Sequence, residues 1–355
     1  MQLLDELTAL SLEFGTADYV LGGGGNTSVK TADTLWVKPS GTTLAHLTPA
    51  AFVALNRAAM QQLYRLVIPA EPAAREALVK DVMAAAVRPG QAGRPSVEAP
   101  LHDVLGGTFV VHTHPALVNG LTCARDGAAA CARLFPDALW IPYVDPGFTL
   151  CLDVRRRVQE YSVQRGGAPI LLLLENHGVF VTGNTPEEIR AAYRRVLDTL
   201  RAEYRQAAVA LTLPSAAPAD PVAVERIRQA LRDLLGPDAA GLAPAAPSAV
   251  AAGPISPDHI VYAKSFPYTG PLTPAGLAAF RQQHGYAPMV IVTPAAVFGA
   301  GPTPRKAELA LALARDGALV QQLAAAFGGI RYMTDRARDF IEHWEVESYR
   351  QQQVN

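Results

Sequence analysis

Two short apolar segments, Ile170–Leu174 and Val179–Val181, are separated only by Glu175-Asn176-His177-Gly178. A gap that short closes a tight turn between antiparallel strands. Leu35–Val37 and Phe109–His112, each bounded by Gly, Pro or Asn, read as further strands. Helices are expected around them at 45–65, 71–87, 97–105, 115–124 and 185–210, and along the whole chain Thr-Pro pairs mark helix starts (Thr48-Pro49, Thr185-Pro186, Thr273-Pro274, Thr303-Pro304), threonine capping and proline taking the first helical position. Thr185-Pro186-Glu187-Glu188 is also a capping box, and Ile189, Tyr193, Val196, Leu197, Leu200 and Tyr204 follow on one stripe. The first two thirds therefore read as α/β, a mixed or antiparallel sheet between helical layers, without the βαβ regularity of a doubly wound fold.

From Pro214 to Pro257 the composition turns to Ala and Pro around one amphipathic stretch, Ala223–Leu235. This gives an expected division into residues 1–213, a connector with a short helix over 214–257, and a smaller α/β unit over 258–355. That unit holds one apolar strand, Met289–Thr293, a helix from Pro304 to Phe327 and a charged helix from Thr334 to about Gln352. At 355 residues with 50% hydrophobic side chains there is ample material for a core. A formal net charge of −1 offers no global field for nucleic acid or an anionic membrane, so an anionic ligand must be held locally. Cys123, Cys131 and Cys151 lack CxxC spacing and fit a reducing compartment. The N-terminus carries acids at Asp5, Glu6 and Glu13, repeats its apolar residues at helical spacing and has no basic leader region, and no apolar run approaches the ~20 residues of a membrane span, so a cytoplasmic location is expected.

Three places could carry chemistry. In Val110-Val111-His112-Thr113-His114-Pro115, residues two apart share one face of a strand, so His112 and His114 offer two imidazoles side by side. His177 from the Asn176-His177-Gly178 turn would complete three neutral nitrogen ligands, the set with which a catalytic Zn²⁺ keeps a position open for substrate. Buried histidines satisfied by backbone groups are the competing explanation. His46, His102, His259, His284 and His343 lack such company and read as structural or surface residues. The second place is Arg94-Pro95-Ser96-Val97-Glu98, where Glu98 can act as general acid and base beside a divalent cation, or simply occupy a helix N-terminus capped by Ser96. The third is Leu21-Gly22-Gly23-Gly24-Gly25-Asn26-Thr27-Ser28 followed by Lys38-Pro39-Ser40-Gly41-Thr42. Glycine-exposed N–H groups, hydroxyls and Lys38 can cradle an anion there, although a flexible turn is the readier explanation of the glycines alone. It is neither a Walker A motif nor a good dinucleotide fingerprint.

Gly-Gly-Asn-Thr-Ser at 24–28, Lys-Pro-Ser-Gly-Thr at 38–42, Pro-Ser-Val-Glu at 95–98, His-Thr-His-Pro at 112–115 and Glu-Asn-His-Gly at 175–178 together resemble the class II aldolase/adducin family, over residues 1 to about 210. Pro-Asp-His-Ile-Val at 257–261 and Trp-Glu-Val-Glu at 344–347 look like its longer, rhamnulose-phosphate-aldolase-like branch. The resemblance implies a nine-stranded, largely antiparallel sheet in a three-layer αβα domain, one Zn²⁺ per subunit on His112, His114 and His177, and a C4-symmetric homotetramer. It implies that Glu98 is the catalytic carboxylate, and that Asn26, Ser40, Gly41 and Ser96 hold the substrate phosphate. Two departures stand out. Val97 replaces the second of a serine pair, so either Lys38 compensates or the ligand carries no phosphate. The tyrosine that aldolases draw from a neighbouring subunit has no motif match, and Tyr143 is only a candidate.

The function so implied is a zinc-dependent aldolase that cleaves a short ketose 1-phosphate to dihydroxyacetone phosphate and an aldehyde, with glutamate where the ribulose-phosphate 4-epimerase branch has aspartate. A methylthioribulose-phosphate-type dehydratase on the same site is the alternative, as is another sugar or sugar-acid lyase or epimerase. An adducin-like interaction module is disfavoured by the presence of all three histidines, and a nicotinamide dehydrogenase ranks lower still.

Overall fold

The computed structural model describes residues 2–91, 93–214 and 220–344. They divide into two compact units. One comprises Met1–Pro115 and Ala128–Thr199, the other Ala116–Gly127 and the described residues from Leu200 on.

The first unit is built on α1 (Gln2–Glu13), β1 (Asn26–Lys30), β2 (Thr34–Val37), β3 (Val53–Asn56), α2 (Arg57–Met60), α3 (Pro72–Ala86), α4 (Ala99–Val104) and β4 (Phe109–Thr113). After α5 (Ala116–Thr122), which belongs to the second unit, follow α6 (Gly127–Leu134), β5 (Leu139–Ile141), α7 (Phe148–Arg165), β6 (Leu171–Leu174), β7 (Gly178–Gly183) and α8 (Pro186–Gln206), whose residues from Leu200 on count with the second unit. The strands form one sheet in the order β3-β2-β1-β4-β7-β6-β5, antiparallel throughout except for β5 beside β6. Seven strands, among the described residues, stand where the family resemblance implied nine.

Strand alternation sorts this sheet into two faces. Leu35, Val37, Leu55, Val110, Leu172, Leu174 and Phe180 form one core with Val79 and Met83 of α3, Leu101 of α4 and Val154 of α7. On the other face the Phe14 ring lies 4.4 Å from that of Tyr193 on α8, and the Tyr193 hydroxyl bonds the Thr113 hydroxyl at 2.8 Å. The sheet is thus the middle of three layers, as expected. Thr185 accepts the Glu188 N–H at 3.2 Å and so starts α8, while the Glu188 carboxylate accepts the Asn184 N–H at 2.6 Å.

The segment 45–65 departs from the helix expected there. Thr48 makes no side-chain cap bond, Pro49–Ala51 is a single 3₁₀ turn, and Val53–Asn56 pairs with β2. Val53, Ala54 and Leu55 are all buried, and pairing at the sheet edge satisfies their backbone groups where a lone amphipathic helix would leave part of this run exposed.

The second unit has α9 (Pro221–Leu235), β8 (Gly241–Ala245), α10 (Pro257–Ala263), α11 (Pro274–His284), β9 (Val290–Val292), β10 (Val297–Gly301), α12 (Pro304–Ala324) and α13 (Asp335–His343), with a sheet ordered β8-β10-β9. The stretch that reads as a connector is folded over much of its length. The Asp220 carboxylate caps α9 by accepting the Val222 N–H at 3.0 Å, and Leu231 and Leu235 enter one core with Phe280, Ile291 and Phe298. β8 pairs with β10, and its Pro244 is tolerated because β8 is an edge strand. Thr273 and Thr303 cap α11 and α12, as their Thr-Pro pairs predict. Residues 345–352 of the expected terminal helix, and Glu345-Val346-Glu347 of the sequence motif, lie outside the described residues.

Leu172 is fully buried on β6, and truncation there leaves a cavity in the core that α7 covers. Leu172→Ala should cost about 2–5 kcal/mol, read as a lower urea midpoint for the first unit with an unchanged native circular dichroism spectrum. A loss under about 1 kcal/mol would contradict its core position.

Candidate metal centre

β1 explains why the site forms where it does. Its alternate residues Asn26, Ser28 and Lys30 face the same layer as the apolar Leu35, Val37 and Val110 of its neighbours, and all three are buried. Buried polar groups must be paired, and α4 with the residues around it supplies the partners. Asn26 Nδ2 donates to Glu98 Oε2 at 2.5 Å and to Ser96 Oγ at 3.2 Å, and Ser28 Oγ lies 2.7 Å from His102 Nδ1. Lys30 Nζ donates to the carbonyls of His102 and Leu105 at 2.7 and 2.5 Å. Burial pulls Lys30 down to about 7, against the opposing effect of Asp103.

The register Asn26↔His112↔Phe180 puts the first histidine beside this cluster. The His112 ring stacks on Phe180 at 3.8 Å with 7° between planes, and its Nδ1–H donates to the Val179 carbonyl at 2.9 Å. That bond leaves the Nε2 lone pair pointing away, as metal-ligating histidines commonly require. His114 follows two residues later, just past the strand. His177 comes from the β6–β7 turn, where Asn176 takes a left-handed conformation (φ 52°). A Cβ on Gly178 would lie 2.5 Å from the Thr113 carbonyl oxygen and 2.6 Å from His114 Cδ2, so only glycine lets the turn close on the strand end.

His112 Nε2 is 2.9 Å from His114 Nε2 and 3.3 Å from His177 Nε2, and one ligand atom from each ring falls within 4.8 Å of the others. Burial first, and then the two neighbouring imidazoles, hold His112 well below the usual histidine range. The two spacings suit N–H···N bonds between the rings and are also close to the ~3.3 Å edge expected of a tetrahedron with metal–nitrogen bonds of about 2.0–2.1 Å. The residues fit a divalent metal bound by three imidazoles with a position left over.

Glu98 sits over the same nitrogens. Its Oε2 is 3.8 Å from His112 Nε2 and its Oε1 3.8 Å from His177 Nε2. It is the N-cap residue of α4, yet its side chain makes no cap bond, while Ser96 Oγ accepts the Glu98 N–H at 3.3 Å. The Ser96 hydroxyl therefore takes the helix-start duty, and the carboxylate is turned to the histidines.

The remaining sequence-marked residues gather by backbone lacing. Pro39 bridges Pro95, the Ser40 N–H donates to the Arg94 carbonyl at 2.8 Å, and the Ser96 N–H donates to the Lys38 carbonyl at 3.2 Å. Lys38 Nζ donates to the carbonyls of Gly23 at 3.1 Å and Thr42 at 2.7 Å, so it ties the glycine turn to the Ser40-Gly41 turn. Gly41 has φ +81°, which the turn requires. Tyr143 is half-buried in the loop after β5. Sequence reasoning misses His102, Ser28 and Phe180. The spacing of Glu98 and His102, four residues apart and so on one helix face, is the available signal.

Residues 5–203 match the family model described as Class II Aldolase and Adducin N-terminal domain. A Bacillus subtilis (strain 168) protein named uncharacterized oxidoreductase YuxG is 31% identical over 175 residues, covering 46% of this chain and 24% of that protein. The chain thus spans about a quarter of that relative's length. Among solved structures, the N-terminal class II aldolase domain of a conserved protein from Thermoplasma acidophilum is 26% identical with a TM-score of 0.48, covering 56% of this chain and 92% of that one. YgbL from Klebsiella pneumoniae, a putative aldolase/epimerase/decarboxylase, is 20% identical with a TM-score of 0.40, covering 57% and 87%.

Gly178→Ala should displace the His177 turn and the His114 ring together, weakening metal binding roughly tenfold or more in competition with a chromophoric chelator. Unchanged affinity would refute the role given to this glycine. His102 is fully buried and held down to about 3, first by burial and then by Lys30 and Lys38. Below about pH 6.5 the unfolded chain binds a proton on this histidine and the folded chain does not. Stability is therefore full above about pH 6.5 and lost as pH falls from there toward 3, with this group contributing a slope of up to about 1.4 kcal/mol per pH unit. Urea midpoints of metal-free protein between pH 7.5 and 5 should show the decline, and His102→Gln should make it shallower.

Proposed function

The chain belongs to the class II aldolase and adducin family, and from that premise we propose that it is a zinc-dependent aldolase that reversibly cleaves a short ketose 1-phosphate to dihydroxyacetone phosphate and an aldehyde. The observation that carries this reading is the placement of Glu98, whose two oxygens each lie 3.8 Å from a nitrogen of the histidine triad while Asn26 holds one of them. A carboxylate so placed can take a proton from the carbon next to a substrate carbonyl and return it on cleavage. His112, His114 and His177 would hold the Zn²⁺, which when bound would supply Lewis-acid polarisation of a substrate carbonyl.

The chain's own residues account for the rest. Burial keeps His112 neutral, and the Val179 carbonyl orients its ring. Asn26 is committed to Glu98, Ser96 and His102, so its part in the reaction is to hold the carboxylate. Phosphate recognition then falls to Ser96, the Ser40-Gly41 turn and the charge of Lys38, which is fixed in place by two carbonyls. Residues 1–213 form the catalytic part on this reading, and the C-terminal unit serves as a cover or interface element of a cytoplasmic homotetramer. No helix among the described residues is long and apolar enough to cross a membrane.

A screen of phosphorylated and free ketoses and sugar acids, with products identified by mass spectrometry, tests the proposal. Metal-dependent retro-aldol fragments are expected, with Glu98→Ala lowering kcat about 10²–10⁴-fold and Glu98→Gln abolishing deuterium exchange into dihydroxyacetone phosphate in D₂O. A dehydrated diketone in place of fragments would reassign the chain to the dehydratase reaction. Cleavage that survives Glu98→Ala would end the role given to this residue.

A further inference from the structure

His102 has no place in the chemistry described so far, yet it is completely buried one helical turn beyond Glu98. It lies in a continuous chain of hydrogen bonds. Ser28 Oγ meets His102 Nδ1 at 2.7 Å, His102 Nε2 meets Asn26 Oδ1, and Asn26 Nδ2 meets both Ser96 Oγ and Glu98 Oε2. Lys30 anchors the residue by donating to its carbonyl, and the ring sits edge-on to Phe180 at 5.5 Å, the same Phe180 on which His112 stacks.

The direction of this chain follows from its members. An amide oxygen can only accept, so the contact with Asn26 Oδ1 requires the proton on His102 Nε2. A neutral imidazole carries only one N–H, so Nδ1 accepts and the Ser28 hydroxyl donates. With Oδ1 held by His102, the Asn26 NH₂ is turned to the carboxylate. The opposite tautomer would favour a flipped amide and set Oδ1 against Glu98 Oε2, two acceptors in contact.

We propose that His102 is a positioning residue that, through Asn26, keeps Glu98 Oε2 engaged and leaves Oε1 as the oxygen that exchanges the proton with substrate. Ser28 selects the required tautomer. This inference rests on the aldolase reading only for what the proton transfer accomplishes. The hydrogen-bond direction stands apart from it.

Two sets of measurements test it. Neutron diffraction from crystals of the wild-type protein should show deuterium on His102 Nε2 and none on Nδ1, and an Asn26 ND₂ facing Glu98. Deuterium on Nδ1, or an Asn26 oxygen facing Glu98, overturns the proposal whatever the protein catalyses, including the case in which no substrate panel gives aldol cleavage. In kinetics, His102→Phe should lower kcat roughly 10–100-fold with KM and metal content held near wild type, and His102→Gln, which returns an amide donor, should recover most of the loss. Ser28→Ala, which keeps the ring, should lower kcat several-fold and yield a mixture of tautomers in ¹⁵N spectra of histidine-labelled protein. Should the glutamine variant lose as much as the phenylalanine variant, or should metal content and KM change in step with kcat, the residue is merely structural.

Discussion

The burial of three polar side chains on β1 is the constraint from which the rest of the site follows. Asn26, Ser28 and Lys30 occupy the face of a central strand whose neighbours contribute Leu35, Val37 and Val110 to the core. An unpaired polar group there would cost about 1–3 kcal/mol, so α4 is held in the one register that presents Glu98, the His102 ring and two carbonyls at the pitch of alternate strand residues. The fold and the site are consequently not separable. The contacts that dock α4 are the contacts that aim Glu98.

The histidines depend on a second constraint of the same kind. His112 is placed by strand register and His114 by the backbone just past the strand end, whose N–H donates to the Tyr19 carbonyl, but His177 reaches them only because Asn176 accepts a left-handed backbone and Gly178 presses against the Thr113 carbonyl without a side chain. Phe180 links the two constraints. It supports the flat face of His112 and the edge of His102, so a packing residue with no reactive group fixes the spacing between the metal triad and the carboxylate support.

Much of this is legible in the sequence, and what is not legible is hidden for physical reasons. The three histidines, Glu98 and the helices begun by Thr185, Thr273 and Thr303 announce themselves by local chemistry: ligand type and spacing, or a hydroxyl followed by proline. β1 does not, because Asn-Thr-Ser-Val-Lys has the composition of a loop and becomes a strand only when α4 and its flanks meet its polar groups with hydrogen bonds. Val53–Asn56 disappears into an expected helix because a strand of four residues is too short to show its period, and β8 is hidden by a proline that only an edge strand can carry. His102 looks ordinary since its importance lies in partners at positions 26 and 28, more than seventy residues away.

Charge completes the argument. The three imidazoles contribute no charge when neutral, as burial favours for His112, and an ionised Glu98 adds one negative charge beside them. Alone, such a cluster repels a phosphate. A divalent cation on the three histidines would reverse the local sum to one positive charge, and Lys38, tethered between the two turns, brings a further positive charge. In a chain whose formal net charge is −1, any attraction for an anion has to come from local groups such as these and from nothing larger. On the aldolase reading, a divalent cation held by the three histidines would add the positive charge that an anionic substrate meets beside Glu98, while Lys38 supplies a second from the glycine turn.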